Sequence, residues 1–345
     1  MGFFVEILES INSTMSDFQM PQRPRRNRKS AAIRAALSET IVLPRHLVLP
    51  LFLLDGLNKR EEIISMPGMA RLSLDLILKE IESCLKLGVS MFAIFPAVDD
   101  VLKDPIASYS YSRGNFYCKA ISEIKKQFPE SVLISDVALD PYSSDGHDGF
   151  VQNGKIINDA TLPILAKMAL AQAEAGIDIL GPSDMMDGRV GYLRDTMDEN
   201  GFSEVSIMSY TAKYASGFYG PFRDALASAP KFGDKKTYQM DYANVKEAKI
   251  EATLDEDEGA DFLMVKPALA YLDVIKTLSE SSSLPIAAYQ VSGEYAMIKA
   301  ASERGWISEE KIVPETLTAI RRAGASIILT YFAKQFAEQI SNSEV

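Results

Sequence analysis

Sulfur and imidazole ligands are scarce in this chain: its 345 residues include two cysteines, Cys84 and Cys118, two histidines, His46 and His147, and one tryptophan. Both cysteines fall in stretches with helical patterning, which gives neither a disulfide framework nor a CxxC metal knuckle and points to a reducing compartment. Two imidazoles cannot assemble a histidine-rich zinc centre. Positive charge is also short. The formal net charge is -11 and the isoelectric point about 4.9, which argues against general nucleic-acid binding, since a phosphate-binding surface requires a basic balance. No uninterrupted apolar run approaches the roughly 18 residues of a membrane helix. The opening MGFFVEILES lacks a basic n-region and a cleavage site, and it carries acids where a transit peptide avoids them. Residues 1–20 therefore read as an extension, and the expected location is the cytosol of a bacterium rather than a plastid.

The charge inverts between Arg23 and Arg34, where Arg25, Arg26, Arg28 and Lys29 crowd in around Pro24. This is the composition of an arm. It divides the chain into an N-terminal extension and arm (1–40) and a main domain (41–345). From residue 47 onward, short apolar or β-branched runs alternate with helical patterns, as in parallel βαβ units. Eight such runs stand at 47–53, 89–95, 131–139, 177–181, 205–210, 261–265, 284–289 and 325–331. Most are apolar on both faces, which suits a sheet covered by helices. Leu74, Ile77, Leu78, Ile81 and Leu85 share one helical face, with Ser73 placed to cap its start. Four helices are expected to end at Gly88, Gly176, Gly259 and Gly324, where glycine accepts left-handed geometry. The pattern predicts a (β/α)8 TIM barrel with an extended N-terminal arm, ahead of a doubly wound sheet, because no GxGxxG fingerprint follows the first strand.

A barrel of this kind works at the C-terminal ends of its strands, and Asp136, Ser183, Asp184, Ser209, Lys213, Lys266, Ser292 and Tyr331 all lie at or just past such ends. Lys213, in MSYTAKYASGFYGPFRD, and Lys266, in ADFLMVKPALAYLD, each follow an apolar run. A free lysine amine, with a pKa of roughly 10.4, is neutral in only about one molecule in a few thousand at pH 7. Two lysines brought together in a partly dry pocket disfavour each other's charge and become nucleophiles for a ketone. The plain alternatives are a solvated strand end for either lysine, turn chemistry for the aspartate- and glycine-rich 136–149, and a solvated helix face for Glu251. Arg223, Lys235, Gln239, Ser292 and Tyr331 have ordinary surface or packing readings as well.

Five segments, DVALDPYSSDGHDG, GPSDMMDGRVG, MSYTAKYASGFYGPFRDA, FLMVKP and YQVSGEYAM, together resemble the porphobilinogen synthase family, also called 5-aminolevulinate dehydratase. The likeness runs from RPRRNRKSAAIRAAL near residue 23 to LTYFAKQ near 335. It implies a lyase that condenses two molecules of 5-aminolevulinate to the pyrrole porphobilinogen, losing two waters, on the path to tetrapyrroles such as heme and chlorophyll. It further implies that Lys266 forms a Schiff base with the first-bound, propionate-side substrate and Lys213 with the second, acetate-side one. Arg223, Lys235 and Gln239 match the family's acetate-side carboxylate group, Ser292 and Tyr331 match the hydroxyl pair for the propionate side, and Ser183 joins the substrate contacts. Residues 214–240 correspond to a lid whose closure excludes water.

Zinc-dependent members carry three cysteines where this chain has Ala138, Asp140 and Asp148, so thiolate zinc is not expected. Carboxylates favour a hard cation such as Mg2+, which keeps several waters. The resemblance implies a stimulating, allosteric Mg2+ at Glu251, in AKIEATLDEDEGAD, with Asp184 holding its waters. Asp136, Asp140 and Asp148 would organise the active site as acid-base groups, as water holders or around a second cation. Asp145 stands where a histidine is common and adds negative charge to the loop. Arms in this family wrap a neighbouring subunit, commonly in octamers, which implies a homo-octamer. Two rival functions are a class I aldolase-like barrel, with one Schiff-base lysine and usually a phosphate site, and a non-enzymatic scaffold that holds nucleic acid through the Arg23–Arg34 arm.

Overall fold

Strands that are apolar on both faces need cover on both faces, and here they obtain it by closing into a cylinder. The computed structural model describes residues 20–226 and 231–343; residues 1–19, most of the expected extension, lie outside them. The cylinder strands are β1 (Leu47–Leu54), β2 (Met91–Ala97), β3 (Val132–Ile134), β4 (Ile179–Leu180), β5 (Ser206–Lys213), β6 (Phe262–Lys266), β7 (Ile286–Gln290) and β8 (Ile327–Thr330). Neighbours run parallel, and β8 returns to β1 through Leu47↔Ile328 and Val48↔Leu329, so the cylinder closes. The connecting helices are α1 (Leu74–Lys86), α2 (Phe116–Gln127), α3 (Asn158–Glu174), α4 (Arg189–Glu199), α5 (Lys246–Asp257), α6 (Leu272–Ser281), α7 (Ser292–Glu303) and α8 (Glu309–Ala323), with α9 (Ala333–Ser343) after β8. This is the predicted TIM barrel, one strand for each apolar run.

Burial accounts for the strand composition: all of β1 except Leu54 is buried. On α1, Ile77, Ile81 and Cys84 are buried, and Leu74, Leu78 and Leu85 are partly so. Each fully buried aliphatic side chain contributes about 1.5–3 kcal/mol. The expected glycine stops hold, with φ of +80° at Gly88, +94° at Gly176, +95° at Gly259 and +125° at Gly324.

Several local expectations change. The 131–139 run forms a regular strand only as far as Ile134: on the β2 side the Tyr117 hydroxyl steps in, accepting the Asp136 N–H at 3.2 Å and donating to the Ile94 carbonyl at 2.9 Å, while on the β4 side the Ser135 and Val137 N–H groups still donate to Ile179 and Gly181. Ser73 stands at the N-cap of α1 without capping it: its hydroxyl accepts the Lys59 N–H at 2.9 Å and donates to Asp75 Oδ1 at 2.6 Å. Two hairpins were not anticipated. Arg60–Glu62 and Ala70–Ser73 add to the edge of β1, and Val151–Gln152 pairs with Lys155–Ile156. The second turns on Asn153-Gly154, both at positive φ, a dipeptide that is itself a strong hairpin signal.

The arm is a separate compact unit ending at Ile41, with the barrel beginning at Val42. It holds a 3-10 turn at Pro24–Arg28 and a helix at Ala31–Ala36, whose N-cap Ser30 accepts the Ile33 N–H at 3.3 Å; neither buries a residue.

Candidate active site

Lys213 and Lys266 are the last residues of β5 and β6 and are register partners. They lie within the strands rather than beyond them, because the ladder continues past the apolar runs. A bulge arranges what surrounds them. Between the pairs Leu263↔Ser209 and Val265↔Ala212, β5 takes one residue more than β6, and the extra residue resets the alternation of side chains. Tyr210 and Lys213 therefore share one side, with Lys213 Nζ 5.9 Å from the Tyr210 ring centre. Ser209, expected at the mouth, instead donates to Asp255 Oδ2 at 2.6 Å and accepts from Arg189 at 2.9 Å.

Aromatic faces surround the Lys266 amine. Its Nζ lies 4.6 Å from the ring centre of Tyr289, 5.0 Å from those of Tyr210 and Phe222, and 5.3 Å from that of Tyr219. Burial, and after it the charge of Lys213, lower its pKa from 10.5 to about 7. Ring faces attract a cation, but less than the water they displace. Lys213 is held differently, donating to Asp148 Oδ2 at 3.0 Å and to the Ser183 carbonyl.

The aspartates divide by their partners. Asp148 is fully buried between two ammonium groups, since Lys235 Nζ also donates to its Oδ1 and, at 3.2 Å, to Asp140 Oδ2. Burial alone would raise the Asp148 pKa, but Lys213 and Lys235 overcome it and hold the carboxyl at about 2. Asp140 is raised by burial, against the pull of Lys235 and with Asp148 adding to the rise. Asp136 is pushed up to about 7 by burial and then by Asp140, although the Ser183 hydroxyl donates to it at 2.7 Å. A carboxylate kept ionised beside one that carries a proton near neutrality separates base from acid.

The 214–240 segment, described except for 227–230, covers this site. Its ends are joined: Tyr214 bridges Met240, the Ala215 N–H donates to the Met240 carbonyl at 2.8 Å, and the Met240 N–H donates to the Lys213 carbonyl at 3.0 Å. Inside, the Tyr219 hydroxyl donates to the Lys266 carbonyl and the Phe222 N–H to Ser292 Oγ, both at 3.0 Å. Gly293 permits this closeness, since a Cβ there would stand 2.5 Å from the Phe218 carbonyl oxygen. On the aspartate side, His147 bonds the Tyr238 hydroxyl at 3.2 Å and the Phe232 carbonyl at 3.0 Å, and the Asp145 carbonyl accepts the Lys231 N–H at 3.1 Å. The segment thus brings Lys235 to the aspartates and Tyr219 and Phe222 to Lys266.

Of the other expected residues, the Tyr331 hydroxyl lies 3.0 Å from that of Tyr289, whose ring faces Lys266. Ser292 is buried and engaged with the lid backbone. Arg223 is half-buried on the lid helix Gly220–Leu226, with no hydrogen bond or ion pair among the described residues. Gln239 is buried, its N–H on the Lys235 carbonyl at 2.9 Å and its Oε1 without a partner among them. Two cage rings, Tyr210 and Tyr289, were not singled out beforehand; a strand-end tyrosine in sequence looks like core.

Behind the lid lies a cavity of about 800 Å³, walled in part by Gln239, Asp187, Asp234, Glu247 and Glu251. Burial, opposed by Arg189 and reinforced by Asp255, Asp187 and Glu247, raises the Glu251 pKa to about 7. Asp184 is fully buried beside Met186, whose N–H it accepts at 2.8 Å, and its Oδ2 is 3.9 Å from Arg189 Nε. Burial, against Arg189, raises it to about 6. Arg189, which sequence reasoning passed over, ties Asp184 to Asp255 at 3.6 Å and to the β5 backbone at Tyr210. Among the described residues no three His, Cys, Asp or Glu side chains converge as a metal cage. The donor set on the wall fits a hydrated hard cation touching one or two carboxylates.

Residues 21–339 match the family described as delta-aminolevulinic acid dehydratase. The chain is 53% identical over 319 residues to the delta-aminolevulinic acid dehydratase of Chlamydia pneumoniae, covering 92% of this chain and 96% of that one. It is 54% identical over 318 residues to the chloroplastic enzyme of that name from Hordeum vulgare, covering 92% and 74%. Among solved structures, delta-aminolevulinic acid dehydratase (porphobilinogen synthase) from Toxoplasma gondii ME49, in complex with the reaction product porphobilinogen, superposes with a TM-score of 0.91 at 51% identity, covering 92% of this chain and 91% of that one. With paired buried lysines at the mouth of a TIM barrel and these likenesses along nearly its whole length, the chain belongs to the delta-aminolevulinic acid dehydratase family.

Proposed function

We propose that this site condenses two molecules of 5-aminolevulinate to porphobilinogen with loss of two waters, as a lyase of tetrapyrrole biosynthesis. The observation that carries the reading is the register pairing of Lys213 with Lys266 at buried strand ends, one amine in an aromatic cage and the other on a carboxylate.

Lys266, with its pKa near 7, supplies a neutral amine at neutral pH. It adds to the ketone of the first substrate and, after loss of water, holds it as an imine. The Ser292 and Tyr331 hydroxyls lie on this side and receive its carboxylate. Lys213 passes its proton to the carboxylate cluster and captures the second ketone, while Lys235 and Arg223, unpaired among the described residues, offer charge for the second carboxylate. Gln239 joins them through its side-chain Nε2–H2, which can donate to a carboxylate oxygen. Asp136, protonated in part near neutrality, donates to the leaving water, Asp148 stays ionised against the ammonium groups, and Asp140, raised by burial, faces Lys235. Each imine acidifies the adjacent carbon. Loss of a C–H proton from one substrate lets that carbon attack the other's imine carbon, and the amino group of one substrate attacks the remaining imine carbon. Both lysines leave as their C–Nζ bonds break, so that one carbon-carbon and one carbon-nitrogen bond form within the closed lid. A single-lysine aldolase reading leaves Lys213 without use, and a nucleic-acid scaffold leaves the whole mouth without use.

Mg2+ suits the cavity behind the lid. Glu251 would hold it, with Asp184 ordering waters behind the wall; when bound, the ion supplies positive charge where carboxylates outnumber cations. In the active site itself, Asp140 and Asp148 already face Lys213 and Lys235, so no second cation is required there. The arm's basic row and its lack of buried residues support a role in assembly, wrapped on a neighbouring subunit of a homo-octamer. Among the described residues no helix is long and apolar enough to cross a membrane, and a bacterial cytosol is the proposed location.

The test is turnover. The protein incubated with 5-aminolevulinate should form a pyrrole that an aldehyde reagent colours, and Lys266→Ala should form none; substantial colour from that variant refutes the assignment.

A further inference from the structure

The lid is also gripped from outside the site. The hairpin strand Ala70–Ser73 joins β1 through Phe52↔Arg71, Leu53↔Leu72 and Leu54↔Ser73. From it, Arg71 reaches the C-terminal end of the lid helix Gly220–Leu226. Its Nε donates to the Ala225 carbonyl and its Nη2 to the Asp224 carbonyl at 2.5 Å, while Nη1 faces Glu61 Oε2 at 3.4 Å. The last carbonyls of a helix have no partner within it. A guanidinium fork satisfies two at once, which an ammonium cannot do with the same geometry.

The clasped carbonyls follow directly on Phe222 and Arg223. The Phe222 ring sits 5.8 Å from that of Phe52 and 5.2 Å, edge on, from that of Phe95. Phe52 is the register partner of Arg71, so one pair of neighbouring residues holds both the inner ring of the lid helix and its terminal carbonyls. Arg223, with no bond of its own among the described residues, takes its place from the helix that carries it.

We infer that Arg71 is a positioning residue for the reaction: by clasping Asp224 and Ala225 it sets Arg223 over the acetate-side substrate and favours the closed lid when the second molecule arrives. Arg71 touches neither substrate. The inference rests on the reading of Arg223 given above, and its test separates the two.

In Arg71→Ala, the KM for 5-aminolevulinate should rise about tenfold or more, from the loss of charge-assisted hydrogen bonds to the lid, with a smaller fall in kcat. Borohydride capture of the first substrate on Lys266 should proceed as in the unaltered protein. Arg71→Lys, which keeps the charge without the fork, should recover part of the loss, and Arg60→Gln on the same hairpin should leave KM unchanged. An unaltered KM in Arg71→Ala overturns the inference. So does parallel loss of thermal stability and Lys266 capture in both Arg71 variants, which would make the contact a general prop of the fold. Failure of the unaltered protein to capture substrate would overturn the reading of the site and not the clasp alone.

Discussion

Lys266→Met should abolish turnover and make the protein more stable. The lysine side chain is 6% exposed and ringed by four aromatic groups, and its pKa falls from 10.5 to about 7 on folding, by burial first and by Lys213 second. Below about pH 7 this lysine is charged in both the folded and unfolded chain, and the folded state bears the full penalty of the buried charge. Between pH 7 and 10.5 the folded lysine has given up its proton while the unfolded one keeps it, so stability rises with pH; above 10.5 the penalty is gone. At about 1.36 kcal/mol per pKa unit, the penalty is about 4 kcal/mol at pH 7 and under about 1 kcal/mol at pH 10. Methionine matches the length of the side chain without the charge, so at pH 7 it should recover most of that amount. For a chain of this length the gain is about 5 °C in Tm. Differential scanning calorimetry of both proteins at pH 7 and pH 10 reads it directly. A Lys266→Met variant that melts at or below the parent at pH 7, or a gain that does not shrink toward pH 10, refutes the claim that the amine is held neutral by its surroundings.

The same lowered pKa predicts an acid limb in kcat/KM near pH 7, falling about tenfold per pH unit below it; a flat profile from pH 5 to 8 contradicts it. Asp148→Asn leaves Lys213 and Lys235 without their shared counter-ion, and should lower stability by about 3–5 kcal/mol in urea titration as well as suppressing activity. Chelation should lower activity and Mg2+ restore it, with Glu251→Ala blunting that response and the Mg2+-dependent rise in Tm; an unchanged response removes Glu251 from the account.

The barrel was legible because its signals are local: apolar runs of strand length, helix periodicity, and the glycines that end α1, α3, α5 and α8. The lysines were legible through motif position, but their surroundings were not. That Tyr210 shares a side with Lys213 depends on the β5 bulge, an added residue between Ser209 and Ala212 that no composition rule marks. Strand β3 loses its β2 ladder early because a hydroxyl from the preceding helix α2, Tyr117, takes the Asp136 N–H, a tertiary contact that the strand's own residues do not signal. Arg189 and Arg71 escaped notice for a related reason: each takes its role from backbone carbonyls and buried carboxylates supplied by distant elements. The Asn153-Gly154 hairpin is different, since its signal was present in the sequence.

The most direct measurement on the central claim is to incubate the protein with 5-aminolevulinate, reduce with borohydride, and locate the adduct by peptide mass mapping. Label should appear first on Lys266, with Lys213 the second lysine to capture substrate. Label that falls first on any other lysine, or that persists undiminished in Lys266→Met, contradicts the account.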